Sequence, residues 1–425
     1  MSYIDKYFIL NKENPCYIIT YYDVNMELTE NKLINYINEL YNNNKVLQNK
    51  ISIQNNKISS SKYEQYHLKE HYEIKYIDQK YFKRYLSKLA NNHTNNCGKS
   101  LLDWYFICCI DKKTKHSRIY FKINHSKCDG KNLINILCSS KILYINKAEA
   151  LCFSTHTDQS TPKNSISFCE KMYYHIIGLF VLIKINIKAF IILLMKFVKY
   201  LLNTTFTNDD EDHDNVKCTQ NKKKIFHLEC KPLPLHKIKA VSRLKQITIN
   251  DLLYAIMIRA DCLYYKRQRN LLTLSPFSLT RTGDPQNYNN FLPIVNIINN
   301  SYDKDKLIQA VNFVYNSYKN SGFIPIFHKL VLYISQYLHL DIFSIYNNSS
   351  TAIDYIFTNM IGPEINKTPI NNVRFMLTPV NNEMIYNIIS AKNKLNIICS
   401  FKNTAINKHR FEKCIYEAYH ELTTL

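Results

Sequence analysis

The chain has 425 residues, 46% hydrophobic and 21% charged, which suits a folded protein of two or three domains and excludes a disordered or collagen-like chain. Its six glycines, Gly98, Gly130, Gly178, Gly283, Gly322 and Gly362, form no GxGxxG, and Cys97-Gly98-Lys99-Ser100 has His93 where a P-loop needs its first glycine, so phosphate cradles are excluded. The net charge of +21 rests on 46 Lys and nine Arg, without zinc-finger spacing, an aromatic RNA-binding motif or a basic heptad helix, so no nucleic-acid partner is expected. What remains open is a Lys-biased solvated surface or attraction to an anionic membrane.

Thirteen scattered cysteines without a CxxC pair fit a reducing compartment. The opening Met1-Ser2-Tyr3-Ile4-Asp5-Lys6 lacks the basic-then-apolar pattern of a secretory signal, so a cytosolic setting is expected. Further on, His67-Leu68-Lys69-Glu70-His71 formally matches the zinc motif HxxEH, but the residues after it, from Tyr72 to Ile77, alternate like a strand, and a third ligand is missing. No metal is expected. Ile119 to Ile123 reads as a strand, and Leu133, Ile134, Ile136 and Leu137 as the apolar side of the helix after it.

Ile176 to Leu202 is the most apolar stretch, interrupted by Lys184, Lys188, Lys196 and Lys199, which share about a third of a helix circumference. That pattern predicts a basic amphipathic helix. It suits a helix lying in a membrane interface better than one spanning the bilayer, and equally one packed on its own protein. Residues 203–222 carry the acidic run Asp209-Asp210-Glu211-Asp212 and read as a polar linker. The predicted organisation is therefore a first domain over 1–160, an amphipathic helix over 170–202, the linker over 203–222, and a second domain over 223–425. Within the second, Thr248-Ile249-Asn250-Asp251 has the form of a capping box opening a helix. Met384 to Ile389 and Leu395 to Phe401 flank the turn-like Ala391-Lys392-Asn393-Lys394, and Phe411 to Leu422 marks a closing helix.

Between the first strand and its helix sits Asn124-His125-Ser126-Lys127-Cys128-Asp129-Gly130. A base at the end of a strand is held rigidly while its ring faces what lies beyond, and the glycine lets the backbone enter the helix closely. By itself this is also consistent with a hydrogen-bonded histidine at a strand end. The segment resembles the HHxxxDG motif of the wax ester synthase/diacylglycerol acyltransferase family, within the chloramphenicol acetyltransferase-like superfamily. The likeness recurs in order along the chain. Ser2 to Leu10 is similar to the family's S-P-L-D-x-x-F-L-L opening, and Leu102-Asp103-Trp104 stands where the family has P-L-W. Thr248 to Asp251 resembles T-V-N-D, Ser275 to Arg281 followed by Asn289-Asn290-Phe291 resembles P-V-S-L-R and G-N-R-F, and Thr358 to Glu364 resembles S-N-V-P-G-P.

The resemblance implies an α/β (α+β) fold of two chloramphenicol acetyltransferase-like mixed-sheet domains with the active-site channel between them. It implies an O-acyltransferase that moves a long-chain acyl group from acyl-CoA, as co-substrate and with no permanent cofactor, to diacylglycerol or a fatty alcohol. His125 would be the general base. Asp129 and Gly130 would be structural, with Asp129 pairing with Arg281, and Ser278, Asn359 and Asn124 are candidates for oxyanion or channel contacts. Cys128 is not expected to be the nucleophile. Asn124 replaces the family's first His, and Leu102-Asp103 replaces the P-L of P-L-W, departures that keep open an inactive lipid-binding protein of the same fold. A lipid substrate implies docking on the cytosolic face of a membrane, endoplasmic reticulum or lipid droplet, through Ile176 to Leu202. The imidazole must be neutral, so activity is expected to fall as pH drops through the histidine pKa, and a flat rate from about pH 5 to 8 would count against the base.

Overall fold

The computed structural model describes residues 16–24, 28–54, 57–63, 68–91, 103–138, 140, 224–266, 269–278, 291–299, 303–320, 354–362, 370–379, 384–402 and 406–424. The first stretch contains β1 (Tyr17–Val24), α1 (Glu30–Asn43), the one-turn α2 (Lys45–Gln48), the hairpin β2 (Asn49–Gln54) and β3 (Lys57–Lys62), β4 (Tyr72–Tyr76), α3 (Phe82–Asn91), β5 (Trp104–Asp111), β6 (His116–Asn124) and α4 (Gly130–Cys138). The second contains β7 (Phe226–Glu229), β8 (Leu233–Pro234), α5 (Leu235–Leu244), α6 (Ile249–Tyr265), β9 (Asn270–Ser278), β10 (Phe291–Asn299), α7 (Lys304–Asn320), β11 (Tyr355–Ile361), β12 (Ile370–Leu377), β13 (Met384–Ala391), β14 (Lys394–Phe401) and α8 (Lys408–Thr423).

Two mixed sheets organise these elements. One runs β12-β1-β6-β5-β4, the other β10-β9-β11-β13-β14-β7 with β8 also on β14. β12 comes from the C-terminal stretch yet pairs antiparallel with β1, so the first sheet draws on residues about 350 positions apart in the chain. Side chains alternate across β1. Ile18, Tyr22 and Val24 face a core shared with Leu33, Tyr36, Ile37 and Leu40 of α1 and Leu133 of α4. Tyr17, Ile19 and Tyr21 face α3 through Phe82, Leu86 and Leu89, and meet Met376 of β12 and Ile398 of β14. Burial on both faces explains why β1 and β5 are apolar almost throughout and not alternating.

The second sheet lays one face on α5, α6, α7 and α8, where Tyr355, Phe357, Tyr386, Ile397 and Phe411 share a core. Its other face supplies Ile389 and Ala391 to the first unit's core. The expected capping box is present, with the Thr248 hydroxyl accepting from the Asp251 N–H and the Asp251 carboxylate from the Thr248 N–H. The expected hairpin is β13 and β14, turning on Lys392 and Asn393, both at positive φ. No helix among the described residues is long and apolar enough to cross a membrane. The Ile176 to Leu202 segment, the 203–222 linker and the Ser2 to Leu10 motif lie outside the described residues.

Candidate active site

His125 follows the last residue of β6 and is stitched into the sheet. Its N–H donates to the Cys16 carbonyl at 3.0 Å, and the preceding N–H of Asn124 donates to the Asp103 carbonyl at 2.8 Å. The chain then reverses. The Asn124 side-chain oxygen accepts the Ser126 N–H at 2.9 Å, and its carbonyl accepts the Lys127 N–H at 3.0 Å. Asn124 is thus the residue that shapes the turn, an Asx arrangement that asparagine forms readily. Asp129 ends the loop by capping α4, its carboxylate accepting the Asn132 N–H at 2.8 Å.

Gly130 opens that helix where β11 presses closest. A Cβ on Gly130 would lie 2.0 Å from the Met360 sulfur, so any larger residue there would have to displace the Met360 side chain. Gly362, the residue directly after β11, is under a harder constraint, since a Cβ there would meet the Ser390 carbonyl oxygen at 2.2 Å. The two glycines of the recognised motifs therefore both mark close approaches of β11, one to the histidine loop and one to β13.

The turn is deeply buried: His125 is 6% exposed, and Ser126, Lys127 and Cys128 are buried with it. Burial lowers the His125 pKa to about 4, with the ring's interaction with its own backbone carbonyl opposing in part. The imidazole is therefore neutral across the physiological range, as a base must be. This moves the acid limb: the expected fall near the ordinary histidine pKa becomes a plateau above pH 5 and a fall toward pH 4. Burial pushes the Cys128 thiol well above its usual range, which removes it as a thiolate nucleophile.

Asn359 lies on β11 on the same side as Tyr355 and Phe357, and its amide nitrogen donates to the Asn250 side-chain oxygen at 3.4 Å, joining the two motifs that hold these residues. Ser278 closes β9 opposite Phe291. Its side chain, and Arg281 altogether, lie outside the described residues. His71, the described histidine of the zinc-like motif, stacks on Trp104 with ring centroids 3.9 Å apart, and the next residues form β4. Among the described residues no three potential ligands cluster for a metal.

Sequence reasoning missed the ionic floor of this turn. Lys127 Nζ contacts the Asp103 carboxylate at 2.9 Å and donates to the carbonyls of Val46 and Asn49. A lysine two residues after His125, with the Asp before the only Trp, was the available signal.

No protein-family model and no curated protein sequence matches the chain. Solved structures do. The wax ester synthase/diacylglycerol acyltransferase from Marinobacter aquaeolei superposes with a TM-score of 0.59 at 12% identity, over 99% of this chain and 98% of that one. The trichothecene 15-O-acetyltransferase from Fusarium sporotrichioides gives 0.62 at 10% identity, over 99% and 94%. The chain has the fold of these acyltransferases. The starter condensation domain of rhizomide synthetase, solved with C8-CoA and Leu-SNAC, shares it at a TM-score of 0.57 and 8% identity, over 100% of this chain and 93% of that one. Likeness over nearly the whole length of both partners accounts for the two mixed sheets expected from the motifs.

Proposed function

We propose that this protein is an acyl-CoA-dependent O-acyltransferase acting on a lipid hydroxyl, with diacylglycerol or a fatty alcohol as acceptor. The observation that carries the reading is His125, neutral, fixed by backbone on both sides, in a turn capped by Asp129 and closed against Met360 of the other sheet. The fold it shares with a wax ester synthase/diacylglycerol acyltransferase supports the substrate class.

In the proposed reaction the acceptor hydroxyl attacks the thioester carbonyl while His125 takes its proton. The tetrahedral intermediate collapses, the C–S bond breaks, and the imidazolium returns the proton to the CoA thiolate. Ester and free CoA leave, and His125 is neutral again. Arg281 on Asp129 and Ser278 toward the oxyanion are the accompanying assignments; Asn359 is not among them, because it shares the helix-facing side of β11 with Tyr355 and Phe357 while Met360 on the other face meets the histidine loop. Ile176 to Leu202 would dock the protein on the cytosolic face of an endoplasmic reticulum or lipid-droplet membrane, keeping the Lys184, Lys188, Lys196 and Lys199 charges wet.

The test offers purified protein a long-chain acyl-CoA with diacylglycerol, fatty alcohol and sterol together, and identifies the ester by mass spectrometry. Ester formed by the wild type and lost in His125→Ala supports the reading. Acyl-CoA binding without any ester would mark a lipid-binding protein of the same fold and end the enzyme assignment.

A further inference from the structure

We propose that Lys127, through its ion pair with Asp103, is a positioning residue that locks the His125 turn onto the root of the β2–β3 hairpin. Three elements meet at its ammonium. Asp103, directly before β5, supplies a carboxylate oxygen at 2.9 Å, and Val46 and Asn49, at either end of α2 and the start of β2, supply carbonyls. The Tyr63 hydroxyl, just after β3, hydrogen-bonds the same carboxylate. Trp104 adds a parallel grip, its indole N–H donating to the Leu47 carbonyl at 3.0 Å. Consecutive carbonyls at the hairpin root are thus held from one side by the residue two after His125 and the residue next to Asp103.

The side chain of Lys127 is 2% exposed and that of Asp103 22%. A lysine buried to that degree is expensive to keep charged, and burial lowers its pKa while Asp103 raises it. Stability alone does not explain such a pair, because apolar residues of similar volume in place of a buried ion pair are commonly neutral or stabilising. A directional ammonium instead fixes three acceptors at defined distances, which an apolar side chain cannot do. The backbone of Asp103 already accepts the Asn124 N–H, so its side chain and main chain grip both ends of the turn around His125. Asp103 stands where the resembling family has the leucine of P-L-W, and the pair explains a charged residue at that position.

The role rests on the acyl-transfer reading, and the experiment separates the two. Lys127→Met, Asp103→Leu and the double variant are compared in Tm, kcat and KM. Asp103→Leu, which leaves Lys127 buried and uncompensated, is expected to be the least stable, and the double variant to recover its Tm. The kcat of the double variant is expected to remain about 10- to 100-fold down, with KM for the acyl donor within about threefold, the size of loss a displaced catalytic group gives. Recovery of kcat together with Tm would reduce the pair to a structural one and overturn the proposal. If the wild type makes no ester, the acyl-transfer reading fails and the lock is read from the His125 imidazole by NMR titration, assigned with His125→Gln. The lock then predicts a midpoint that rises from about 4 in the double variant as the turn opens. A midpoint unchanged from wild type overturns it.

Discussion

Two histidines of the first sheet carry the same electrostatic signature in different surroundings. His125 and His71 are both buried, and burial lowers both to a pKa of about 4. His71 spends its ring on structure: it stacks on Trp104, its Nδ1 lies 3.2 Å from the Trp104 carbonyl, and Tyr63 meets it edge-on. His125 sits instead on a reverse turn at a strand end, with its loop capped by Asp129 and met by the opposite sheet. A perturbed pKa therefore measures burial. What sets the proposed base apart from a packing residue is the backbone that presents it.

The comparison can be broken in five ways. His125→Ala is expected to lower kcat per folded molecule about 10²- to 10⁴-fold, and, since the ring is buried, to cost about 1–3 kcal/mol in urea unfolding as well. Gly362→Ala sets a methyl group against a backbone oxygen that cannot rotate away, and should destabilise by about 3 kcal/mol or more in urea unfolding. Gly130→Ala meets a side chain, so its smaller loss should be recovered by adding Met360→Ala, which would show that β11 acts on the histidine loop by contact. His71→Ala should share the stability cost, about 1–3 kcal/mol, but leave activity per folded molecule within about threefold. Finally, kcat should stay flat from about pH 8 to 5 and fall toward pH 4. Both histidines bind protons less readily folded than unfolded, so the stability they contribute is whole above pH 6.5 and disappears as pH falls through about 4. A kcat limb near 6.5 would place the base elsewhere.

Local signals were legible in the sequence because their causes are local. The strand before His125, the helix after Gly130, the Thr248 capping box, the β13–β14 turn and the closing helix α8 each depend on residues within a few positions of one another. The ordered motifs carried the fold beyond that. β12 beside β1 was not legible, since period-2 alternation states which face of a strand is buried and not which strand it joins. Asp103 drew notice as a departure from P-L-W, but its partner could not be read, because an ion pair between a strand end and a later turn leaves no spacing rule. The direction of the histidine shift was missed for the same reason: burial of a strand-end turn is set by tertiary packing and leaves no local signal.

β12 also sets an order of events. The strand that completes the first sheet leaves the ribosome about 250 residues after β6, roughly 12 to 50 seconds later at ordinary elongation rates. Until then one edge of β1 offers a row of unsatisfied backbone groups to any passing strand. The nascent chain thus carries an open template through most of its own synthesis, and a stalled or truncated product would end with that template exposed.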